Sequence, residues 1–395
     1  MLVGINGSFL RKKDSGIGQV SWNFLKTLIK IHKSINDIKF IVYLEEDIDL
    51  DLPGGFDKKI ILPSYKRDDL LRKLLWEKFV LLKEVRKDGC DSFLSLYQST
   101  SIIPGIPHLM LVHDVVWKVF PQYINNLRKK IYYYFIGKAI LRADKLLTVS
   151  EYSKKDIAKF FGVDDEKISV GHIDCDPIFR KELRDDSRRE ILDKYGIAED
   201  YIFYIGGFDV RKNVAGLIRA YGDFWKKYNK EIKIPDLVLA GTFHEHLVPL
   251  VDDVPGIIKK VVEESGVPLE KFKMIGFLDQ QDLPELYANA KMLCYPSLYE
   301  GFGIPVIEAM SIGCPVITSN VSSIPEIANS QNAFIVNPES TSEISDAMYE
   351  VLMDKEKVQE KVEQSKIDSK KFSWDKFTQK VLEEISDIKK IDQID

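Results

Sequence analysis

The chain has 395 residues, of which 45% are hydrophobic and 30% are charged, and its formal net charge is −5. This length exceeds what one hydrophobic core supports, so we expect two domains of ordinary size. The negative net charge argues against nucleic acid as a partner, and the four cysteines lack the paired spacing of a zinc site or redox couple. We find no secretory signal and no apolar run of the roughly 18 residues that a membrane-spanning helix needs, so we expect a cytoplasmic protein.

Apolar segments of strand length alternate with helix-periodic stretches along the whole chain. In the first half the predicted strands are Leu2–Asn6, Lys39–Leu44, Ser92–Leu96, His108–His113 and Lys145–Val149. After a polar stretch the order restarts, with strands at Ile202–Gly206, Asp236–Gly241, Lys273–Phe277, Met292–Pro296, Pro315–Thr318 and Ala333–Val336. This alternation predicts an α/β fold with one doubly wound, Rossmann-like parallel sheet in each half.

The restart of the pattern divides the chain into two predicted domains, residues 1–185 and 198–370, joined near residue 190. Residues 371–395 continue as a helix that carries Trp374 and Phe377. Because these aromatic side chains need a surface to pack on, we predict that this helix crosses back to the N-terminal domain.

The densest motif is YEGFGIPVIEAM, which follows a predicted strand and contains Glu300 and Glu308. Gly301 and Gly303 allow a ligand to approach the backbone, and the helix start that follows favours a phosphate. Carboxylates repel phosphate, so we expect the two glutamates to accept hydrogen bonds from sugar and ribose hydroxyls. The alternative is a tight strand-to-helix turn with two solvated acids.

A second motif, FYIGGFDVRKN, places Arg211 and Lys212 just after a strand that ends in glycines. Fixed cations there would stabilise the negative charge that develops on a departing diphosphate. The alternative is a basic helix start that pairs with Asp209. In the loop DSGIGQVSWNFL, Gly16 and Gly18 precede a helix predicted to begin near Gln19, without the third glycine of a dinucleotide fingerprint or the lysine of a P-loop.

The segment LVHDVVW places His113 at the carboxyl end of a predicted strand, where ligands bind in open α/β sheets. A lone histidine is more often structural, so the residue alone leaves both roles open. Two groups of spaced aspartates could ligate a metal, namely Asp47, Asp49 and Asp51, and Asp174 with Asp176. Spaced surface aspartates are usually solvated, and we expect no metal.

The segment EGFGIPVIEAMSIGCPVITSN resembles the carboxylate motif of glycosyltransferase family 4, and the likeness covers nearly the whole chain. The resemblance implies a retaining, metal-independent hexosyltransferase without a cofactor. Its expected GT-B fold has two domains facing across a cleft, with the acceptor domain at 1–185 and the nucleotide-sugar donor domain at 198–370.

The resemblance also implies roles for individual residues. The implied catalytic residues are His113, Arg211, Lys212 and Glu300. The implied donor-binding residues are Gly16, Gly18, Gly207, Gly276, Phe277, Gly301, Phe302, Gly303, Ile304 and Glu308. Many family members carry an arginine where this chain has Gly207, and we expect Arg211 to take over that contact. Glu300 would face the donor sugar, and Glu308 would hold the ribose.

Similarity to family members with an RKN sequence favours GDP-mannose as donor, ahead of UDP-hexoses and dTDP-rhamnose. The expected acceptor is a glycan or a lipid-linked glycan of a cell-surface polysaccharide. The basic, aromatic residues 128–145 are typical of a peripheral contact with anionic lipid, or of a solvated helix face. Alternative functions are a nucleotide-sugar epimerase of the same architecture, a non-catalytic nucleotide-sugar binding protein and a metal-dependent transferase of the single-domain type.

Overall fold

The computed structural model describes residues 1–13, 15–32, 37–63, 70–183, 187–241 and 250–391. The chain divides into two compact units: unit 1 comprises Met1–Ile173 with Phe372–Asp395, and unit 2 comprises Asp174–Lys371.

The boundary between the units differs from the predicted one, because the residues that follow Ile173 pack within unit 2. The ring of Phe179 meets that of Tyr287 with 5.7 Å between centroids. Arg180 donates a hydrogen bond of 2.9 Å to the carbonyl of Ser369. The predicted joint near residue 190 therefore lies inside unit 2, whose contacts begin earlier than the polar stretch indicated.

Unit 1 is built on a seven-stranded sheet in the order β3-β2-β1-β4-β5-β6-β7, with every pairing parallel. Its strands are β1 Leu2–Asn6, β2 Lys39–Leu44, β3 Phe56–Ile60, β4 Ser92–Ser95, β5 His108–Leu111, β6 Lys145–Thr148 and β7 Ile168–Val170. Its first helices are α1 Gly16–His32, α2 Leu70–Leu75, α3 Leu81–Lys87, α4 Val116–Val119, α5 Leu127–Arg142 and α6 Glu151–Phe161. A π-helical turn, Trp76–Val80, joins α2 to α3.

Two strands of unit 1, β3 and β7, were not predicted, and they form the two edges of the sheet. The sequence of β3, FDKKI, is mostly polar and largely exposed, and β7 has only three residues. An edge strand needs hydrogen bonds on one side only and can keep a polar face, so its sequence lacks the apolar run of a central parallel strand.

Unit 2 is built on a six-stranded sheet in the order β10-β9-β8-β11-β12-β13, again with every pairing parallel. Its strands are β8 Tyr201–Ile205, β9 Asp236–Ala240, β10 Phe272–Gly276, β11 Met292–Tyr295, β12 Val316–Ser319 and β13 Phe334–Val336. Its helices are α7 Ser187–Tyr195, α8 Val214–Tyr228, α9 Val254–Ser265, α10 Leu283–Asn289, α11 Ile304–Ile312, α12 Thr341–Met353 and α13 Lys355–Ser369. The predicted α/β class with two parallel sheets is confirmed.

The last helix, α14, spans Trp374–Ile391 and belongs to unit 1. Phe377 is 1% exposed, and its ring meets that of Phe24 on α1 edge to face, with 6.1 Å between centroids. A Cβ atom at Gly171 would lie 3.1 Å from the Phe377 ring, so the absence of a side chain there lets the ring approach the backbone. Across the described ranges, no helix combines the length and apolarity that spanning a bilayer requires.

Candidate active site

In each sheet the chain reverses direction between two adjacent central strands. Unit 2 proceeds from β8 outward to β10 and returns at β11, and unit 1 proceeds from β1 outward to β3 and returns at β4. Ligands of open α/β sheets bind at the carboxyl ends of strands at such a switch point. In unit 2, Arg211 and Lys212 follow β8, and Glu300 follows β11.

The three charged residues at the switch point of unit 2 meet in one cluster. One carboxylate oxygen of Glu300 accepts hydrogen bonds from Nζ of Lys212 at 2.6 Å and from the hydroxyl of Tyr295 at 2.7 Å. The other oxygen accepts one from Nη1 of Arg211 at 3.0 Å. Lys212 also donates to the hydroxyl of Tyr295. Arg211 therefore pairs with Glu300, across 89 residues of sequence.

Burial and charge act against each other in this cluster. Burial alone raises the pKa of Glu300, but the charges of Lys212 and Arg211 outweigh it, so the pKa lies below its usual value. Burial also lowers the pKa of Lys212, although the nearby charge of Glu300 opposes this shift. Glu300 thus stays ionised, and its one negative charge is shared between two cations. The charge of Asp209 also acts on Lys212 and raises its pKa.

Backbone hydrogen bonds fix the loop that carries Glu300. The amide of Leu298 donates to the carbonyl of Arg211 at 2.8 Å, which ties the loops after β8 and β11 together. The hydroxyls of Ser322 and Ser323 donate to the carbonyl of Glu300 at 2.8 and 2.9 Å. Ser322 itself has φ of 61°, an unusual value for a residue with a side chain. The backbone at Glu300 is therefore fixed by these hydrogen bonds.

The glycine loop ends at Gly303, the residue before α11, with φ of 114°. A Cβ atom there would lie 2.7 Å from Cδ1 of Ile324, so both the backbone conformation and the space require glycine. Pro305 lies in the first turn of α11, where its missing N–H costs nothing. The amide of Val306 donates to the carbonyl of Gly303 at 3.0 Å, so the segment forms the strand, glycine turn and helix start at which an anion site is predicted.

Glu308 lies one turn into α11 and is 4% exposed. Its Oε2 atom accepts a hydrogen bond of 2.7 Å from the hydroxyl of Tyr287. Burial raises the pKa of Glu308 to about 8, and the charge of Asp176 adds to the rise. Near neutral pH the side chain is therefore largely protonated, and hydroxyl donors would be needed to stabilise its ionised form.

The glycines after β8 allow close backbone contacts. Gly206 has φ of 147°, and a Cβ atom at Gly241 would lie 2.2 Å from its carbonyl oxygen. A Cβ atom at Gly207 would lie 2.7 Å from Oδ2 of Asp209. At the end of β10, Gly276 has φ of 70°, and the amide of Gly241 donates to its carbonyl at 3.0 Å. The next residue, Phe277, is 63% exposed.

In unit 1, His113 lies two residues beyond β5 and is 8% exposed. Its Nε2 atom lies 3.0 Å from the carbonyl oxygen of Leu96. Because a carbonyl only accepts, Nε2 must carry the proton, and Nδ1 is then an acceptor. Burial lowers the pKa of His113, so the ring is neutral. This geometry suits a hydrogen-bonding role better than that of a general base.

The loop after β1 in unit 1 contains Gly16 and Gly18, and α1 begins at Gly16 instead of near Gln19. The helix starts earlier because the hydroxyl of Ser15 accepts a hydrogen bond of 3.0 Å from the amide of Gly18, as an N-cap does. A Cβ atom at Gly18 would lie 1.8 Å from the carbonyl of Lys12, whereas one at Gly16 would meet nothing within 4 Å. Gly18 is thus required by packing, and Gly16 leaves open space.

Three of the five aspartates that could ligate a metal have protein partners. Asp47 pairs with Lys58 at 2.8 Å, and Asp174 pairs with Arg180 at 2.6 Å. Asp176 accepts a hydrogen bond of 3.0 Å from the amide of Ile178. Across the described residues, no three His, Cys, Asp or Glu side chains come together as a metal site requires.

Sequence reasoning missed Tyr295 and Tyr287, which donate hydrogen bonds to Glu300 and Glu308. Tyr295 is the last residue of β11 and lies at the carboxyl edge of the sheet. Its position at the carboxyl end of a predicted strand is a sequence signal that points to this site. Tyr287 lies in α10, and nothing in its local sequence points toward Glu308. Both tyrosines are fully buried, so their hydroxyls need the partners that the glutamates supply.

Two family models match the chain. One is described as Glycosyl transferases group 1 and matches residues 187–368, and the other as Glycosyltransferase Family 4 and matches residues 53–172. Together they reach into both units, and the first includes all of the motif residues of unit 2.

Relatives agree with this assignment. The O-antigen chain mannosyltransferase B of Escherichia coli is 30% identical over 267 residues, which span 67% of this chain and 66% of that protein. The O-antigen chain mannosyltransferase RfbU of Salmonella typhimurium is 27% identical over 348 residues, or 85% and 86% of the two chains. The solved structure of WaaG, a glycosyltransferase involved in lipopolysaccharide biosynthesis, matches with a TM-score of 0.73 at 18% identity, covering 98% of this chain and 99% of that chain. The chain therefore belongs to glycosyltransferase family 4 and has the GT-B fold.

Proposed function

We propose that this glycosyltransferase moves a mannosyl residue from GDP-mannose to a glycan or lipid-linked acceptor in the synthesis of a cell-surface polysaccharide. The observation that carries the proposal is the cluster of Arg211, Lys212 and Glu300 at the switch point of unit 2. The choice of mannose rests on the names of the two relatives, both O-antigen mannosyltransferases. UDP-hexoses and dTDP-rhamnose remain the next candidates as donors.

In this proposal unit 2 binds the donor. The first amides of α11 and the cations of Arg211 and Lys212 would contact the diphosphate. Glu308 would accept hydrogen bonds from the ribose hydroxyls, which would favour its ionised form. Glu300 would turn from its cations toward the sugar, while the diphosphate takes its place beside them.

The proposed reaction retains the configuration of the anomeric carbon. The bond from that carbon to the leaving phosphate oxygen breaks, and the acceptor oxygen bonds to the same face. The leaving oxygen takes the acceptor's proton, so no protein base is required. Arg211 and Lys212 stabilise the charge that grows on the diphosphate, and each charged hydrogen bond is worth about 1.5–3 kcal/mol. This charge stabilisation comes from side chains, and we propose that no metal is needed.

We propose that unit 1 binds the acceptor. On the family resemblance, the Nδ1 atom of His113 would accept a hydrogen bond from the transferred sugar, and the loop with Gly16 and Gly18 would approach the donor. The open space at Gly16 agrees with such an approach.

We also propose a peripheral contact of residues 128–145 with anionic lipid. Tyr132 is 6% exposed and Tyr133 stacks on Trp117 with 4.8 Å between centroids, so these two tyrosines belong to the core. Tyr134 is 59% exposed and can lie at a membrane interface. The lysines and arginines of the same helix would attract anionic headgroups.

The lipid contact is tested by flotation with vesicles. Vesicles of phosphatidylcholine with phosphatidylserine should retain the protein, and vesicles of phosphatidylcholine alone should not. The double variant Lys130→Glu and Lys138→Glu changes two exposed lysines of α5 and should lose retention. Equal retention of the protein and this variant would reject the contact.

The donor is tested by thermal shift with GDP-mannose, UDP-glucose and dTDP-rhamnose, followed by analysis of products. A ligand at 100 times its Kd stabilises a protein by about 2.7 kcal/mol. We expect GDP-mannose to give the largest shift and an acceptor to become mannosylated. The proposal is wrong if no nucleotide sugar shifts the melting temperature, or if donor alone is converted to an epimer.

A further inference from the structure

A lysine lies over two aromatic rings that pack edge to face at the switch point of unit 1. Nζ of Lys73, on α2, lies 4.3 Å from the ring centroids of both Phe9 and Tyr97. Phe9 follows β1 and Tyr97 follows β4, the two adjacent strands between which the chain reverses. Ligands of open α/β sheets bind at this position.

The carboxylate nearest to Lys73 is already occupied. Glu77 is fully buried, and one of its oxygens accepts a hydrogen bond of 2.6 Å from the hydroxyl of Tyr97. Its other oxygen accepts hydrogen bonds from the amide and the hydroxyl of Thr100, at 2.8 and 2.7 Å. Nζ of Lys73 lies 3.8 Å from Glu77, which is beyond hydrogen-bond distance. Glu77 therefore fixes Tyr97 and the loop after β4 and only partly balances the lysine.

A second acidic residue close by, Glu45, is also used within the protein. It accepts a hydrogen bond of 2.8 Å from Arg72, with both side chains buried, and another from the hydroxyl of Ser8. Among the described residues, Glu77 and Glu45 thus have hydrogen-bond donors other than Lys73. Their charges still act on the lysine, and Glu77 forms an ion pair with it at 3.8 Å.

The side chain of Lys73 is 14% exposed. Its ammonium group has three N–H donors, and within the described ranges no acceptor lies at hydrogen-bond distance from Nζ. Burial lowers the pKa of Lys73, the charges of Glu77 and Glu45 oppose this shift, and the charges of Arg11 and Lys12 add to it. A buried ammonium without hydrogen bonds is costly, and an oxyanion ligand would supply the missing acceptors.

We propose that Lys73, whose ammonium lies over the rings of Phe9 and Tyr97, binds a phosphate group of the acceptor. This inference rests on the proposed function, because it needs unit 1 to take the acceptor. The phosphate is assigned to the acceptor and not to the donor because the donor diphosphate has its own cation pair, Arg211 and Lys212, in unit 2. A lipid-linked glycan or a sugar phosphate would carry such a group next to its first sugar.

The test compares two small acceptor analogues, butyl α-mannoside and butyl α-mannosyl phosphate, by titration calorimetry. Saturating GDP is present throughout, so that the phosphate analogue cannot report on the donor site. One hydrogen-bonded charge pair is worth about 1.5–3 kcal/mol, so the wild-type protein should bind the phosphate analogue roughly 10- to 100-fold more tightly. Lys73→Met keeps the apolar stem and should abolish that preference without changing the affinity for the neutral analogue.

Two variants serve as controls, with melting temperatures measured for each. Lys73→Arg keeps the charge and should keep most of the preference. Lys83→Met changes an exposed lysine on α3 and should leave the preference intact. Because calorimetry needs no turnover, a protein that binds the phosphate analogue but transfers no sugar would contradict the proposed function and leave this inference standing.

Three results would overturn the inference. The first is equal affinity of the wild-type protein for both analogues, which requires no variant to fold. The second is an equal loss of affinity for both analogues in Lys73→Met, which would indicate a structural role. The third is a preference that appears without GDP and vanishes when GDP is saturating, which would assign the phosphate to the donor site.

Discussion

Replacing Glu308 by glutamine should remove a pH dependence from the stability of unit 2. The carboxyl is 4% exposed, and its pKa is raised by burial from 4.5 to about 8. Between these two values the folded state holds a proton that the unfolded state has released. The protonated carboxyl therefore adds fully to the free energy of unfolding below pH 4.5, and this contribution is lost as the pH rises toward 8.

The size of the effect follows from the same pKa. Each pH unit within that window is worth up to about 1.4 kcal/mol, so going from pH 5 to pH 7 should lower the free energy of unfolding by about 3 kcal/mol. Glutamine has no proton to lose and keeps an oxygen that can accept from Tyr287. We compare the melting temperature of Glu308→Gln with that of the wild type at each pH. For a unit of this size, about 3 kcal/mol means that the difference, variant minus wild type, should be about 6–12 °C larger at pH 7 than at pH 5.

Differential scanning calorimetry of the nucleotide-free protein at pH 5, 6, 7 and 8 measures this difference. The comparison of wild type with variant at each pH cancels the other titrating groups. Glu231→Gln changes an exposed glutamate of the same unit and should follow the wild-type curve. Parallel curves for the wild type and Glu308→Gln would refute the reasoning, because they would mean that Glu308 ionises as an ordinary carboxyl.

Nucleotide binding near pH 7 should release a proton from Glu308, because ribose hydroxyls favour its ionised form. Titration calorimetry in buffers of different ionisation enthalpy would detect the released proton. A binding enthalpy that is the same in all buffers would count against the ribose contact. Lys212→Met should lower kcat about 10-fold or more with a smaller change in donor KM, whereas Lys226→Met, at an exposed lysine, should match the wild type in steady-state kinetics. Gly303→Ala should lower the free energy of unfolding by about 1–2 kcal/mol and weaken nucleotide binding. The φ of 114° disfavours a side chain, and the added Cβ atom would lie close to Ile324. Unchanged nucleotide affinity would contradict this prediction. Phe377→Ala should destabilise unit 1 by about 3–5 kcal/mol in urea denaturation, because it empties a buried ring site, and a loss below about 1 kcal/mol would mean that α14 contributes little.

The sequence alone predicted both parallel sheets and the loops that carry the candidate site residues. Central parallel strands are buried on both faces, so β1, β2, β8, β9, β11 and β12 appear as apolar runs in the sequence. The glycine loop before α11 is equally local, because a strand, a positive φ at Gly303 and a helix start occupy one short segment. Since carboxyl ends of parallel strands share one edge, the motifs could be assigned to the same side of their sheet.

Other features depended on packing between distant segments. The edge strands β3 and β7 carry no apolar run, and the boundary at Ile173 follows from contacts of Phe179 and Arg180 with residues far along the chain. A pairing such as Lys212 with Glu300, 88 residues apart, has no local signature, because a hydrogen bond depends on where two loops meet in space. The burial that raises the pKa of Glu308 depends on neighbours in the same way. Local sequence thus determined which residue types follow each strand. Only tertiary packing decided the partners of these residues, their charge states and the aromatic rings around Lys73. These features depend on distances between side chains, which the order of residues does not contain.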